Sequence, residues 1–368
     1  MDAHLLEPPF ALEDTPDAPA VFTVYAAGAR PYLARTARLR RRLRRLLGEG
    51  GGPSRLLNLR GVATRVEYWL TPSRLSASLL HYEQARRHYP DDYLRLIRLR
   101  WPAYVKVLLA NEFPRTQAAT RLSSSRALHY GPFRTRAGAE RFEAELLDLF
   151  QVRRCQEDLE VSPEHPGCIY GEMGRCLRPC QAAVSADEYR SEALRLAHFL
   201  ETDGASLLVP ARAARDRCAE ELNFEEAQRQ HQRAQRIEQV LKLRDELAAP
   251  ADRLCGVAVT PSAAAGCVEL RFFLQGVWLA PVDFRIAPDA SGEMVPLDRR
   301  LRILADSLAP PRVTAREREE HLALLARWYY SSWRDGEWLG FPGLAELPYR
   351  RLVRAISRAA SAAQGSLF

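Results

Sequence analysis

The chain has 368 residues, more than one small core needs and enough for two to four compact units. Its apolar share is 47%, yet no apolar run approaches the roughly 18 to 20 residues of a membrane span. The acidic start (Asp2, Glu7, Glu13, Asp14) lacks the basic-then-apolar order of a secretory signal, which makes a cytoplasmic protein with no membrane contact the expectation. The formal net charge is +7, with 53 basic against 46 acidic residues, and every basic residue except Lys106 and Lys242 is arginine. The planar arginine fork donates paired hydrogen bonds to phosphate; an arginine-biased coding sequence would give the same total, so clustering is the better signal.

Residues 1–18 are acidic and proline-rich and read as a flexible arm. Ala20 to Tyr25 reads as a strand, Gly28 as a turn and Arg30 to Leu33 as a returning strand. The run from Arg35 to Leu47 follows, with leucines at 39, 43, 46 and 47 in helical spacing and arginines on the other faces. Val62 to Leu70 reads as a third strand, and Ser73 as the cap of a helix running to Pro90. A short strand is expected from Tyr104 to Leu109, then helices over 137–150 and 186–201 and a charged helical hairpin within 211–248. Strands are expected over Leu254–Val259, Cys267–Leu274 and Val277–Phe284, and an aromatic-rich helical region from Thr314. No internal repeat is visible.

Four of the seven cysteines, Cys155, Cys168, Cys176 and Cys180, lie within 26 residues at spacings of 13, 8 and 4. In a reducing compartment such a group reads as a metal or cluster site before disulfides. Paired C-x2-C knuckles, usual in structural zinc sites, are missing. Wide spacing closing on Pro179-Cys180 suits an iron–sulfur cluster better, with zinc and unligated buried thiols as the alternatives.

The stretches Leu149 to Cys155 and Gly167 to Cys180, with Gly131-Pro132-Phe133, resemble the cysteine segment of the UvrC family, which supplies the incising subunit of bacterial nucleotide excision repair. The resemblance implies that Cys155, Cys168, Cys176 and Cys180 hold a 4Fe–4S cluster. It also implies that residues 19–109 are a small α/β domain of the GIY-YIG nuclease type, with Ala20-Val21-Phe22 and Tyr32-Leu33-Ala34 as its two signatures. Arg42 falls on the catalytic arginine and Tyr32 on the second tyrosine. That chemistry needs a tyrosine near the attacking water, an arginine on the phosphate and a carboxylate for a divalent metal. Here the first tyrosine is Phe22, the second glycine is Ala34, and the metal-binding glutamate falls on His81. Imidazole is a poor Mg²⁺ ligand but accepts Mn²⁺ or Zn²⁺; Glu83 is about 200° further round the helix and is no substitute. Either the fold survives as a non-cutting DNA grip through Arg35, Arg38, Arg41, Arg42 and Arg45, or a divergent site still incises DNA with Mg²⁺ or Mn²⁺.

Leu222 to Ala227 resembles the UVR motif that contacts UvrB, with Phe224, Glu225 and Ala227 matching; simple packing is the alternative. Asp252 to Phe284 resembles the β segment that follows that motif. The family's RNase H-like and helix-hairpin-helix modules are not expected in the remaining length. Trp328, Tyr329, Tyr330, Trp333 and Trp338 suit core closure or base stacking. Gln364-Gly-Ser-Leu367-Phe368 resembles the peptide by which polymerases and repair proteins dock on the sliding clamp, its apolar pair otherwise a frayed end. The expected architecture is α+β: an arm (1–18), a GIY-YIG-like domain (19–109), a cysteine connector (110–200), a UVR-like hairpin (201–248), a β unit (249–308), a helical aromatic-rich region (309–358) and a tail (359–368).

Overall fold

The computed structural model describes residues 3–48, 57–123, 126–286 and 295–365, with side chains described up to residue 361. The fold is α+β, built on three sheets whose strands pair antiparallel. The first sheet contains β1 (His4–Leu6), β2 (Ala20–Ala26), β3 (Tyr32–Thr36) and β4 (Ala63–Leu70) in the order β1-β4-β2-β3. Alternation along β2 and β3 sends Phe22 and Tyr32 toward helix α1 (Leu39–Leu47), and Val21 and Leu33 toward helices α2 (Arg74–His88) and α3 (Tyr93–Ile97). The four leucines of α1 are buried against the sheet, each worth about 1.5–3 kcal/mol of removal from water. Ser73 caps α2 as expected, its Oγ accepting from the Ser76 amide at 3.0 Å.

Residues 3–18, expected as a flexible arm, are built into this unit. β1 lengthens the sheet by pairing with β4, and Phe10 and Leu12 pack on the α1 core. The polar groups of the arm answer the arginine helix: Arg40 Nε donates to the Thr15 carbonyl at 2.6 Å, the Arg41 amide to Asp17 Oδ1 at 3.2 Å, and Arg44 pairs with Glu13. Proline content and acidity point to disorder only where no basic partner and no open sheet edge are near.

The second sheet, order β6-β5-β7-β8, contains β5 (Ala103–Val107), β6 (Thr116–Ala119), β7 (Leu128–Phe133) and β8 (Ala249–Pro250). Helices α4 (Arg136–Leu147), α5 (Ile169–Glu172) and α6 (Ala186–Glu201) follow β7. The hairpin helices α7 (Ala205–Glu220) and α8 (Phe224–Leu241) come next, and all but the short α5 contribute to one core with the sheet. Here the expected single strand from 104 is one member of a sheet.

The third sheet contains β9 (Cys255–Pro261), β10 (Cys267–Leu274), β11 (Val277–Trp278), β12 (Val282–Arg285) and β13 (Glu337–Phe341). Its order is β11-β10-β9-β13, with β12 also on β10. Helices α9 (Leu297–Asp306) and α11 (Tyr349–Gly365) cover one face. α10 (Ala315–Tyr329), capped by Thr314, covers the other together with α2 and α3 of the first unit. Thus α2 is shared: the core around it joins Val21, Leu33 and Trp69 of the first sheet to Ala258, Phe273 and Trp278 of the third. The segments 19–109 and 249–358, separate in sequence, share that core. Trp328 and Trp338 serve core closure, and Gly256 makes room for the latter, since a Cβ there would lie 2.1 Å from the indole ring.

Candidate nucleic-acid interface

On the α1 side of the first sheet, Arg42 Nη2 donates to the Tyr32 hydroxyl at 2.7 Å, and the Tyr32 ring lies 6.1 Å from that of Phe22. Phe22 is fully buried and Ala34 packs on the same core, so the missing hydroxyl and the added methyl are both absorbed by packing. Of the expected phosphate-gripping residues, Arg38, Arg41 and Arg45 are exposed at and along α1, while Arg42 is half-buried and held by Tyr32. Arg35 is not with them: its Nη1 donates to Ser78 Oγ of α2 at 3.2 Å.

His81 also lies on that second side, in a small recess with Arg35, Ser78 and Arg327. The structure therefore separates the residues that the nuclease reading joins, with Tyr32 and Arg42 on one side of the sheet and His81 on the other. Burial, reinforced by the Arg35 and Arg327 guanidinium groups, pushes the imidazole down to about 4, which leaves it neutral at physiological pH. Two cations beside a neutral ring repel a divalent metal. Glu83 is committed elsewhere, 3.6 Å from the buried Arg271. These residues do not fit the divalent metal that the nuclease chemistry needs. Arg327 reaches this recess from α10, and no local pattern in the sequence marks it.

The cysteine segment hangs below the second sheet as loop, the single turn α5 and a 3-10 turn at Pro179–Gln181. Cys168 is exposed, Cys155 half-buried, and Cys176 and Cys180 buried. Burial pushes the Cys176 thiol up to about 11, and the neighbouring Cys168, Cys155 and Cys180 add to the shift. The buried Arg153 donates to the Glu157 carbonyl at 2.9 Å and approaches Cys155 Sγ at 3.6 Å. Among the described residues, no three His, Cys, Asp or Glu side chains are close enough to hold a metal ion. The donor set nevertheless fits the chemistry of a soft metal centre, being four thiols on one loop with a cation beside them.

At the hairpin tip, Leu222 and Phe224 are 72% and 67% exposed, with Glu225 exposed and Ala227 half-buried beside them. Asn223 caps α8 between the two apolar residues, accepting from the Glu226 amide at 3.3 Å. The Gln364 side chain, Leu367 and Phe368 lie outside the described residues. Among the described residues no helix is long and apolar enough to cross a membrane.

Residues 103–199, the stretch holding β5 to β7, α4, the cysteine loop and α6, match the model of the UvrC/Cho excinuclease middle domain. Over that stretch the chain is similar to the UvrC family. It is 28% identical over 263 residues to UvrABC system protein C of Moorella thermoacetica, covering 71% of this chain and 42% of that protein. The protein of the same name from Serratia proteamaculans is 26% identical over 260 residues (70% and 42%), and that from Trichlorobacter lovleyi 26% over 220 residues (60% and 36%). The chain spans about two fifths of the length of these relatives. No solved structure matches.

Proposed function

We propose that this chain is a DNA-binding protein of nucleotide excision repair whose GIY-YIG-derived unit grips phosphates without cutting them. The relationship to proteins named as the C component of the UvrABC system supports the repair role, and the arginines exposed along α1 support the grip. The observation that carries the loss of cutting is His81, a neutral imidazole between two guanidinium groups where the family has its metal-binding carboxylate. The retained Tyr32–Arg42 hydrogen bond favours the other reading, a divergent metal-dependent endonuclease incising damaged DNA. Cys155, Cys168, Cys176 and Cys180 would hold a four-iron cluster, with zinc as the alternative, and the group would cross-link a segment poor in regular structure. The exposed Leu222–Phe224 tip suits a UvrB-like partner, and Gln364, Leu367 and Phe368 a sliding clamp in the cytoplasm. Retention of the chain on immobilised UvrB and on immobilised clamp, with and without those residues, reads each contact.

The deciding experiment is a nicking assay on damaged duplex and flap DNA with Mg²⁺ and with Mn²⁺, run beside retention of the same DNA. No nicks are expected with either metal. DNA retention should fall steeply with salt, log affinity losing about 0.9 per phosphate contact for each unit of log salt. Nicking that vanishes in Arg42→Ala overturns the non-cutting reading.

A further inference from the structure

Where the first and third sheets share α2, a cleft opens whose walls come from three distant parts of the sequence. One lobe, about 570 Å³, is lined by Arg35, Arg74, Arg327, Trp333 and Asp335 among others; the next, about 410 Å³, adds Arg100, Trp101, Arg134 and Tyr330. Arg327 and Trp333 line both lobes and also the His81 recess, so the three adjoin. Five guanidinium groups thus converge: Arg35, Arg74, Arg100, Arg134 and Arg327. Among the described residues, none of the five has a carboxylate within ion-pair distance. Asp335 is the one acidic residue described in the lining, and it is taken up by the Arg74 amide and by Trp328 Nε1 at 3.0 Å. Arg327 is held in place by donating to the carbonyls of Ile97 and Arg98 at 3.3 and 3.2 Å. Its charge is disfavoured by burial and then by Arg35 and Arg100. A set of like charges built into a recess costs free energy unless an anion joins it.

The aromatic half of the lining narrows the ligand. Trp333 is half-buried at the junction of the lobes, with the Arg74 guanidinium 5.8 Å over its ring, and Arg134 stands 5.1 Å over Tyr330. Alternating cations and ring faces are what a polynucleotide with unpaired bases requires: phosphates meet arginine and bases stack on indole or phenol. The lobes are of small-ligand size, which suits single nucleotides better than a duplex, whose bases are already stacked and unavailable. We propose that this cleft binds a single-stranded segment of nucleic acid, with Trp333 as the stacking platform and the five arginines on the phosphates. The inference rests on the DNA-binding reading above and adds a second, structurally distinct surface to the α1 grip.

The test is fluorescence anisotropy of the full chain with labelled short oligo(dT) and, separately, with a labelled short duplex over a salt series. Wild type should bind both. Trp333→Ala should weaken oligo(dT) about 5- to 150-fold, the cost of one lost base stack, and leave the duplex bound through α1. Because Trp333 also touches the core, Arg100→Ala/Arg134→Ala at exposed positions is the second variant; it should lower the salt slope for oligo(dT) by about 1.4. If wild type binds duplex and neither variant changes oligo(dT) affinity, the cleft inference falls and the DNA-binding reading stands. Equal weakening of both ligands also overturns it, because the cleft would then belong to a duplex surface. Failure to bind either form overturns both readings.

Discussion

At position 81 the chemistry of the site and the stability of the fold meet in one side chain. The half-buried imidazole titrates at about 4 in the folded protein, while an unfolded chain takes up that proton near 6.5. Between those values the unfolded state binds more protons, so stability is full above about pH 6.5 and falls as pH drops toward 4. His129 and His321, also pushed to about 4 by burial, work in the same direction, and His321 accepts the Trp278 amide through Nδ1 at 2.9 Å. Unfolding near pH 5 should therefore take up about three protons from these residues, each tilting stability by about 1.4 kcal/mol per pH unit. His81→Asn should remove about one of them, measured as a shallower pH dependence of urea unfolding between pH 4 and 6.5. An unchanged slope would mean that the imidazole is solvated and free to protonate, and with it the argument against a metal would weaken.

Elements were legible wherever periodicity and caps coincide: β2, β4, β9 and β10, and the helices begun by Ser73 and Thr314, stand within a residue or two of their sequence readings. The cysteine connector was legible only as a spacing, because its order comes from contacts with no period. The Leu177 amide donates to the Gln151 carbonyl at 3.1 Å, Gln151 Nε2 to the Gly174 carbonyl at 2.7 Å, and the Ser162 amide to the Cys180 carbonyl at 2.9 Å. On the cluster reading proposed above, whatever the four thiols bind adds a further cross-link to these contacts. Anaerobically purified protein should contain iron and acid-labile sulfide, and Cys176→Ser should lose most of both while residues 151–185 become the first site of protease cleavage. The domain around them should persist, since Tyr189 still anchors the segment's start by accepting the Arg153 amide at 2.8 Å. Zinc in place of iron would keep the donor set and change its metal; wild-type proteolysis in Cys176→Ser would remove the cross-linking role.

Across the whole molecule, the feature that no stretch of sequence could reveal is the sharing of α2 between two sheets nearly two hundred residues apart in the chain. Local patterns report which face of an element is apolar; they do not report which partner covers it. The same limit hid the cleft, whose arginines come from β3, α2, the loops before β5 and after β7, and α10. What fixes the register between the units is polar. Ser76 Oγ donates to Glu269 Oε1 at 2.7 Å, Arg271 lies 3.3 Å from Glu269 and 3.6 Å from Glu83, and the Tyr82 and Tyr93 hydroxyls both donate to Glu320, with Tyr82 at 2.7 Å. Glu269, Arg271 and Glu320 are each only 1% exposed, and breaking one partner of such a pair leaves an uncompensated buried charge, a cost of about 3–5 kcal/mol. Arg271→Leu should impose that cost, and because α2 belongs to both units the loss should spread to both. Hydrogen exchange would then speed up together in β2, β4, β9 and β10, whereas the second sheet, with its own core, should keep its protection. Loss confined to β9 and β10 would show that the first unit folds without the third, and that the shared core is a docking contact between finished domains.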